Sequence, residues 1–131
     1  MEPRFLELSE VIAIHRDQIE QYGGALGIRD TGLLESALAM PAAGFEGHFL
    51  HRDLYEMAAA YLFHLVKNHP FLDGNKRIGA MAAYAFLDTN GIELIADPDE
   101  FAELTLRTAT GESDKGGIAA FLRINSRPLE E

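Results

Sequence analysis

Apolar residues in this 131-residue chain recur at three- and four-residue intervals almost from end to end. That period restricts the chain to a helical fold. Leu8, Ile12, His15 and Ile19 share one face, with Ser9 as the expected cap and Gly23-Gly24 as the stop. Asp30 is expected to cap a shorter helix carrying Leu33, Leu34, Ala37 and Leu38, which Pro41 ends. The strongest signal runs from about Asp53 to Lys67, where Leu54, Ala58, Tyr61, Leu62 and Leu65 form a stripe. Asp53 and Glu56 suit the positive N-terminal end of that helix. The next helix, running to Thr89, is apolar around most of its circumference, as in a helix buried at the centre of a bundle, and Asn90-Gly91 closes it. Residues 92–95 read as a short extended piece. Asp97-Pro98 then opens a helix through Phe101, Leu104 and Leu106, and Ser113 is expected to cap a last one with Ile118, Phe121, Leu122 and Ile124. Between these, residues 41–51 have no period, and Gly44 and Gly47 beside aromatics suggest an irregular flap or small hairpin. The expectation is an all-α single domain over residues 1–131: about six helices, a flap and at most one short hairpin.

Composition narrows the chemistry. There is no cysteine, which rules out disulfides, thiolate metal sites and cysteine nucleophiles and suits a cytoplasmic protein. No basic-then-apolar leader opens the chain, and its apolar stretches are broken by charges well short of a membrane span. Eleven Lys and Arg against twenty-one Asp and Glu give a net charge of −10, which argues against binding nucleic acid directly or a membrane surface. The charge is uneven. Residues 92–131 carry nine acidic and four basic side chains, whereas residues 69–91 carry two of each, with Lys76 and Arg77 adjacent.

That pair belongs to the run His69-Pro70-Phe71-Leu72-Asp73-Gly74-Asn75-Lys76-Arg77, which lies between the amphipathic helix and the start of the Ala-rich one. A helix N-terminus offers unpaired N–H groups and the positive end of the dipole, which favour phosphate. Gly74 lets a ligand approach the backbone. Lys76 and Arg77 add full charges, and Arg grips phosphate oxygens in bidentate fashion. Asp73 is the ligand type that magnesium takes beside a nucleotide. His69 accepts a proton near neutral pH. Together these groups spell phosphoryl or nucleotidyl transfer to a hydroxyl. The alternative is a plain turn with a surface histidine, but it leaves two cations opposing the dipole at about 0.3–1 kcal/mol each.

The run resembles the signature of the Fic/Doc family, His-x-Phe-x-Asp/Glu-Gly-Asn-x-Arg, and matches it at every defined position. Lys76 stands where adenylylating Fic enzymes usually carry Gly and is similar to the death-on-curing (Doc) branch. Tyr22-Gly23-Gly24, Gly27-Ile28-Arg29-Asp30, Gly32 to Leu38 and Ala109-Thr110-Gly111-Glu112 extend the resemblance over nearly the whole chain. Ile78-Gly79 departs from the Thr-Ala that Doc proteins often carry.

The resemblance implies a Fic/Doc-fold bundle in which His69 deprotonates the target hydroxyl. Asp73 would coordinate magnesium on the phosphates of ATP, Gly74 and Asn75 would form an anion hole, and Lys76 and Arg77 would clamp phosphate. It also implies a reversed nucleotide and hence a kinase toxin, since the lysine stem fills room that glycine leaves for a phosphate. The implied target is a threonine of translation elongation factor Tu, and the implied neutraliser is a Phd-type antitoxin. Two alternatives remain open: a Fic-type adenylyltransferase, and a non-catalytic binding module of the same fold.

The remaining histidines do not make a zinc set, because no cysteine exists and the nearby carboxylates lack metal-ligand spacing. His15 on an apolar face reads as a hydrogen-bonded core residue, and His64 as structural support near the site or an orienter of His69. Phe45 and Phe49 in the flap either hold a target's backbone or close the core.

Overall fold

The computed structural model describes residues 2–129, and within them the chain forms six α-helices and two small antiparallel strand pairs. The order is α1 (Leu8–Tyr22), α2 (Thr31–Ala39), a 3-10 turn (Met40–Ala42), β1 (Gly44–Phe45), β2 (His48–Phe49), α3 (Leu54–Asn68), α4 (Asn75–Thr89), β3 (Ile92–Leu94), α5 (Pro98–Thr110), α6 (Lys115–Ile124) and β4 (Ser126–Pro128). Among the described residues, no helix is long and apolar enough to cross a membrane.

Five of the six helices follow an acidic residue at the cap: Glu7, Asp30, Asp53, Asp97 and Asp114. The aspartate side chains accept the N–H groups of Leu33, Glu56, Asp99 and Gly117. Two expected caps therefore shift. Ser9 lies inside the first turn of α1, where Glu10 Oε1 takes the Glu7 N–H at 2.9 Å. Ser113 yields to Asp114, whose carboxylate is the stronger acceptor and takes the Gly117 N–H at 2.8 Å. Only α4 has no acidic cap. It starts from Gly74, with no capping side chain.

The core is one cluster in which Tyr61, Leu62 and Leu65 of α3 meet Ile78, Ala82 and Phe86 of α4. α3, rather than the Ala-rich α4, is the most enclosed helix. It packs against α2, α4, α5 and α6, while α4 leaves Tyr84 39% exposed. Gly79 lets the two helices approach closely: a Cβ there would lie 2.8 Å from Val66 Cγ2 and 3.2 Å from the Leu62 carbonyl.

The flap is the hairpin β1–β2, pairing Gly44 with Phe49 and Phe45 with His48. Its turn residues Glu46 and Gly47 both have positive φ, as a tight hairpin turn requires. The two flap aromatics part company. Phe45 is 79% exposed, whereas Phe49 packs edge-on against Phe5 at 5.6 Å and so closes the core's rim. The extended piece at 92–95 acquires a partner that periodicity did not reveal, since β3 pairs with β4 across α5 and α6. A three-residue strand containing Pro128 carries too little pattern to show in sequence.

Candidate active site

The end of α3 and the start of α4 are joined by six residues, and nearly every backbone group there is tied down. His69 ends α3 in the left-handed conformation, φ 52° and ψ 53°, which is rare for a residue with a side chain and persists only when neighbours enforce it. The enforcer is Arg29, in the loop between α1 and α2. Its guanidinium donates to the carbonyls of His69 at 2.7 Å and Asn68 at 3.0 Å, and its own N–H donates to the Pro70 carbonyl at 2.7 Å. The Asn68 side chain donates to the Leu33 carbonyl, so α2 shares in the anchoring.

Asn75, in the first turn of α4, is only 4% exposed. Its Oδ1 accepts the Phe71 N–H at 2.9 Å, which fixes the amide's orientation. Its Nδ2 then donates to the Phe71 carbonyl and to His69 Nδ1, each at 3.0 Å. The Asn75 side chain thus orients the histidine, and its backbone N–H in the first turn of α4 stays available for the anion hole expected there. Because Nδ1 is the acceptor, the neutral ring carries its proton on Nε2. His64, the sequence candidate for that orienting role, lies elsewhere, with Nε2 3.1 Å from Lys115 Nζ.

Asp73 is exposed, and each of its carboxylate oxygens accepts a backbone N–H: Oδ2 from Ala25 at 3.2 Å, Oδ1 from Gly74 at 2.8 Å. These two bonds, with the Arg77 guanidinium adding to them, hold its carboxyl below the usual carboxylate range, so it is ionised at neutral pH. The same bond occupies the Gly74 N–H, which leaves Asn75, Lys76 and Arg77 as the first-turn residues whose N–H groups no side chain caps. Gly74 itself has φ 76°, and a Cβ there would press on Ile19 Cδ1 at 3.2 Å.

Arg77 is half-buried and its Nη1 reaches the Gln18 carbonyl at 3.3 Å. Lys76 is exposed and has no ion-pair partner among the described residues. A cavity of about 200 Å³ brings all six sequence candidates together: it is lined by His69, the residues 73–77, Val66 and Ala109. A larger hollow of about 410 Å³ on α5 and α6 sets Asp99, Glu100 and Glu103 against the single cation Arg107, which is paired with Glu103, and would repel phosphate.

The sequence candidates for nucleotide and metal therefore share one cavity, and Asp73 is the one carboxylate among its lining residues. Among the described residues, no three metal-type side chains come together. A cation here would be held by one carboxylate plus phosphate oxygens and water, which is how magnesium binds beside nucleotides. Linear reading overlooked Arg29 and the Ala25 N–H, whose parts in the site come from loop contacts 40 and 48 residues distant in sequence.

The sequence profile of the Fic/DOC family matches residues 5–87. The chain is 43% identical over 103 residues to Toxin Doc of Mycolicibacterium smegmatis, covering 77% of this chain and 79% of that protein. It is 36% identical over 120 residues to Protein kinase doc of Escherichia phage P1, covering 92% and 94% respectively.

Proposed function

The chain belongs to the Fic/DOC family, and from that premise we propose that it is a Doc-type toxin that transfers the γ-phosphoryl group of ATP to a Ser or Thr hydroxyl of a protein. One observation carries the reading: the start of α4 is the helix start without an acidic cap, and it is flanked instead by Lys76 and Arg77 beside His69 and an ionised Asp73.

The N–H groups of residues 75–77, with the Lys76 and Arg77 side chains, would bind the phosphate oxygens, which is the main source of catalysis where phosphoryl transfer depends on positioning and charge. Magnesium bound at Asp73 would neutralise phosphate charge. Asn75 holds the His69 ring at Nδ1. For His69 to take the hydroxyl proton on Nδ1, that atom must exchange the Asn75 amide for the hydroxyl as the target docks. The Lys76 stem supports γ- over α-phosphate transfer, because it occupies room that a reversed nucleotide does not need.

Elongation factor Tu is the proposed protein target and a small Phd-type protein the proposed antitoxin, with cytoplasmic action. The relative named Toxin Doc supports the toxin reading, and the phage relative named Protein kinase doc supports the kinase. Incubation with elongation factor Tu and ATP labelled at the α or the γ position tests the chemistry. Label passing from the γ position alone is expected. Label passing only from the α position would make the enzyme an adenylyltransferase, and growth arrest that survives His69→Ala would make it a binding module.

A further inference from the structure

The Asp73 carbonyl is held from a distant part of the chain. His15, on the inner face of α1 and 3% exposed, stacks on Phe71 with ring centroids 3.8 Å apart and planes at 10°. Its Nε2 lies 2.8 Å from the Asp73 carbonyl oxygen. A carbonyl only accepts, so Nε2 carries the proton in this bond. The stacking partner is itself immobilised, since both backbone groups of Phe71 are bonded to the Asn75 side chain.

The peptide unit joining Asp73 to Gly74 is planar, so fixing the direction of its C=O fixes the opposite direction for the Gly74 N–H. That N–H is the donor to Asp73 Oδ1 at 2.8 Å. We propose that His15 is a positioning residue for the Asp73 carboxylate: by pinning this peptide plane it aims the Gly74 N–H at Oδ1 and presents the carboxylate to a divalent cation. Gly74 has the backbone freedom to flip if the pin is removed, because φ 76° is accessible to it and so are the alternatives. The Ala25 N–H on Oδ2 is the longer contact at 3.2 Å and sits on a loop, so it does not fix the carboxylate alone.

The consequence for metal binding rests on Asp73 being the magnesium ligand; the peptide clamp itself does not. Groups that orient a ligand are worth about 10–100-fold in metal affinity. His15→Phe keeps the aromatic stack and removes the donor, while His15→Gln supplies an amide N–H without the stack. In ¹⁵N spectra of the unliganded protein, the Gly74 amide proton should move upfield in His15→Phe as it loses its carboxylate partner, and return toward the wild-type position in His15→Gln.

The magnesium concentration for half-maximal ATP binding should rise about tenfold in His15→Phe and recover in His15→Gln. Exchange protection of core amides such as Phe86 should be unchanged in both. A folded His15→Phe with the wild-type Gly74 resonance and magnesium dependence would overturn the proposal. If His15→Phe does not fold, His15→Leu against His15→Gln poses the same contrast. Wild-type ATP binding that ignores magnesium would overturn the assignment of Asp73, while the Gly74 resonance would still decide whether His15 is the clamp.

Discussion

At the residue scale, the site separates groups that face the cavity from groups that hold them. Arg77 belongs to the first kind, although it also touches the Gln18 carbonyl. Arg77→Ala should weaken ATP binding by about 1.5–3 kcal/mol, the worth of a charge-assisted contact, and calorimetry would read this as a loss of roughly ten- to a hundredfold. Asn75 belongs to the second kind. Asn75→Ala strands the Phe71 N–H and carbonyl and frees His69. It should therefore cost about 1–3 kcal/mol of stability in urea titration as well as activity, whereas Arg77→Ala should leave stability nearly unchanged. A stable Asn75→Ala with normal activity would show that the histidine is held otherwise. The candidates His69, Asp73, Gly74, Asn75, Lys76 and Arg77 stand out in the sequence because they fall within nine residues and their chemistry is unusual at a helix start. The division of labour among them was not. That the Gly74 N–H is committed to Asp73 and that the Asn75 amide orients a ring follow from tertiary hydrogen bonds that no spacing encodes.

At the element scale, the site depends on how α3 and α4 cross. Gly79 stands at the closest approach, so Gly79→Ala should push Val66 and the Leu62 backbone aside. A loss of about 1–3 kcal/mol is expected in urea titration, the usual effect of overpacking. The α3–α6 contact carries a pH signature. Burial, the Lys115 ammonium and His51 push His64 down to about 4 from an ordinary 6.5. The unfolded chain therefore binds this proton at a higher pH than the folded one. The neutral ring's contribution to stability is complete above about 6.5 and is lost as pH falls toward 4. Urea midpoints at about pH 7 and pH 5 should show that loss in the wild type and less of it in His64→Leu; equal losses would contradict the assignment. The main helices were legible from period and breakers. The caps at Glu7 and Asp114 were missed in favour of Ser9 and Ser113, because sequence ranks cap types without showing which N–H each side chain meets. β4 was missed because two short strands become a ribbon only when α5 and α6 return the chain to β3.

At the scale of the whole molecule, an acidic protein keeps one helix start free of carboxylate caps. The other five starts are occupied by Glu or Asp, which fill them as a bound anion would. Placing Gly, Lys and Arg at the sixth sacrifices a little local stability and leaves a concave cationic spot of about 200 Å³ on a chain of net charge −10. The all-helical character and the grouping of the candidate residues around one cavity were legible from sequence at this scale, since both rest on local pattern. The enclosure of α3, rather than α4, depends on which neighbours cover each helix. The most direct measurement is a titration of magnesium-ATP into ¹⁵N-labelled protein, followed residue by residue. The account predicts the largest shifts at the amides of residues 73–77 and at His69, with the half-saturating ATP concentration raised roughly ten- to a hundredfold in Arg77→Ala. Shifts centred instead on a second cationic hollow of about 370 Å³, lined by Arg52, Lys115 and Arg123, with residues 73–77 unmoved, would contradict it.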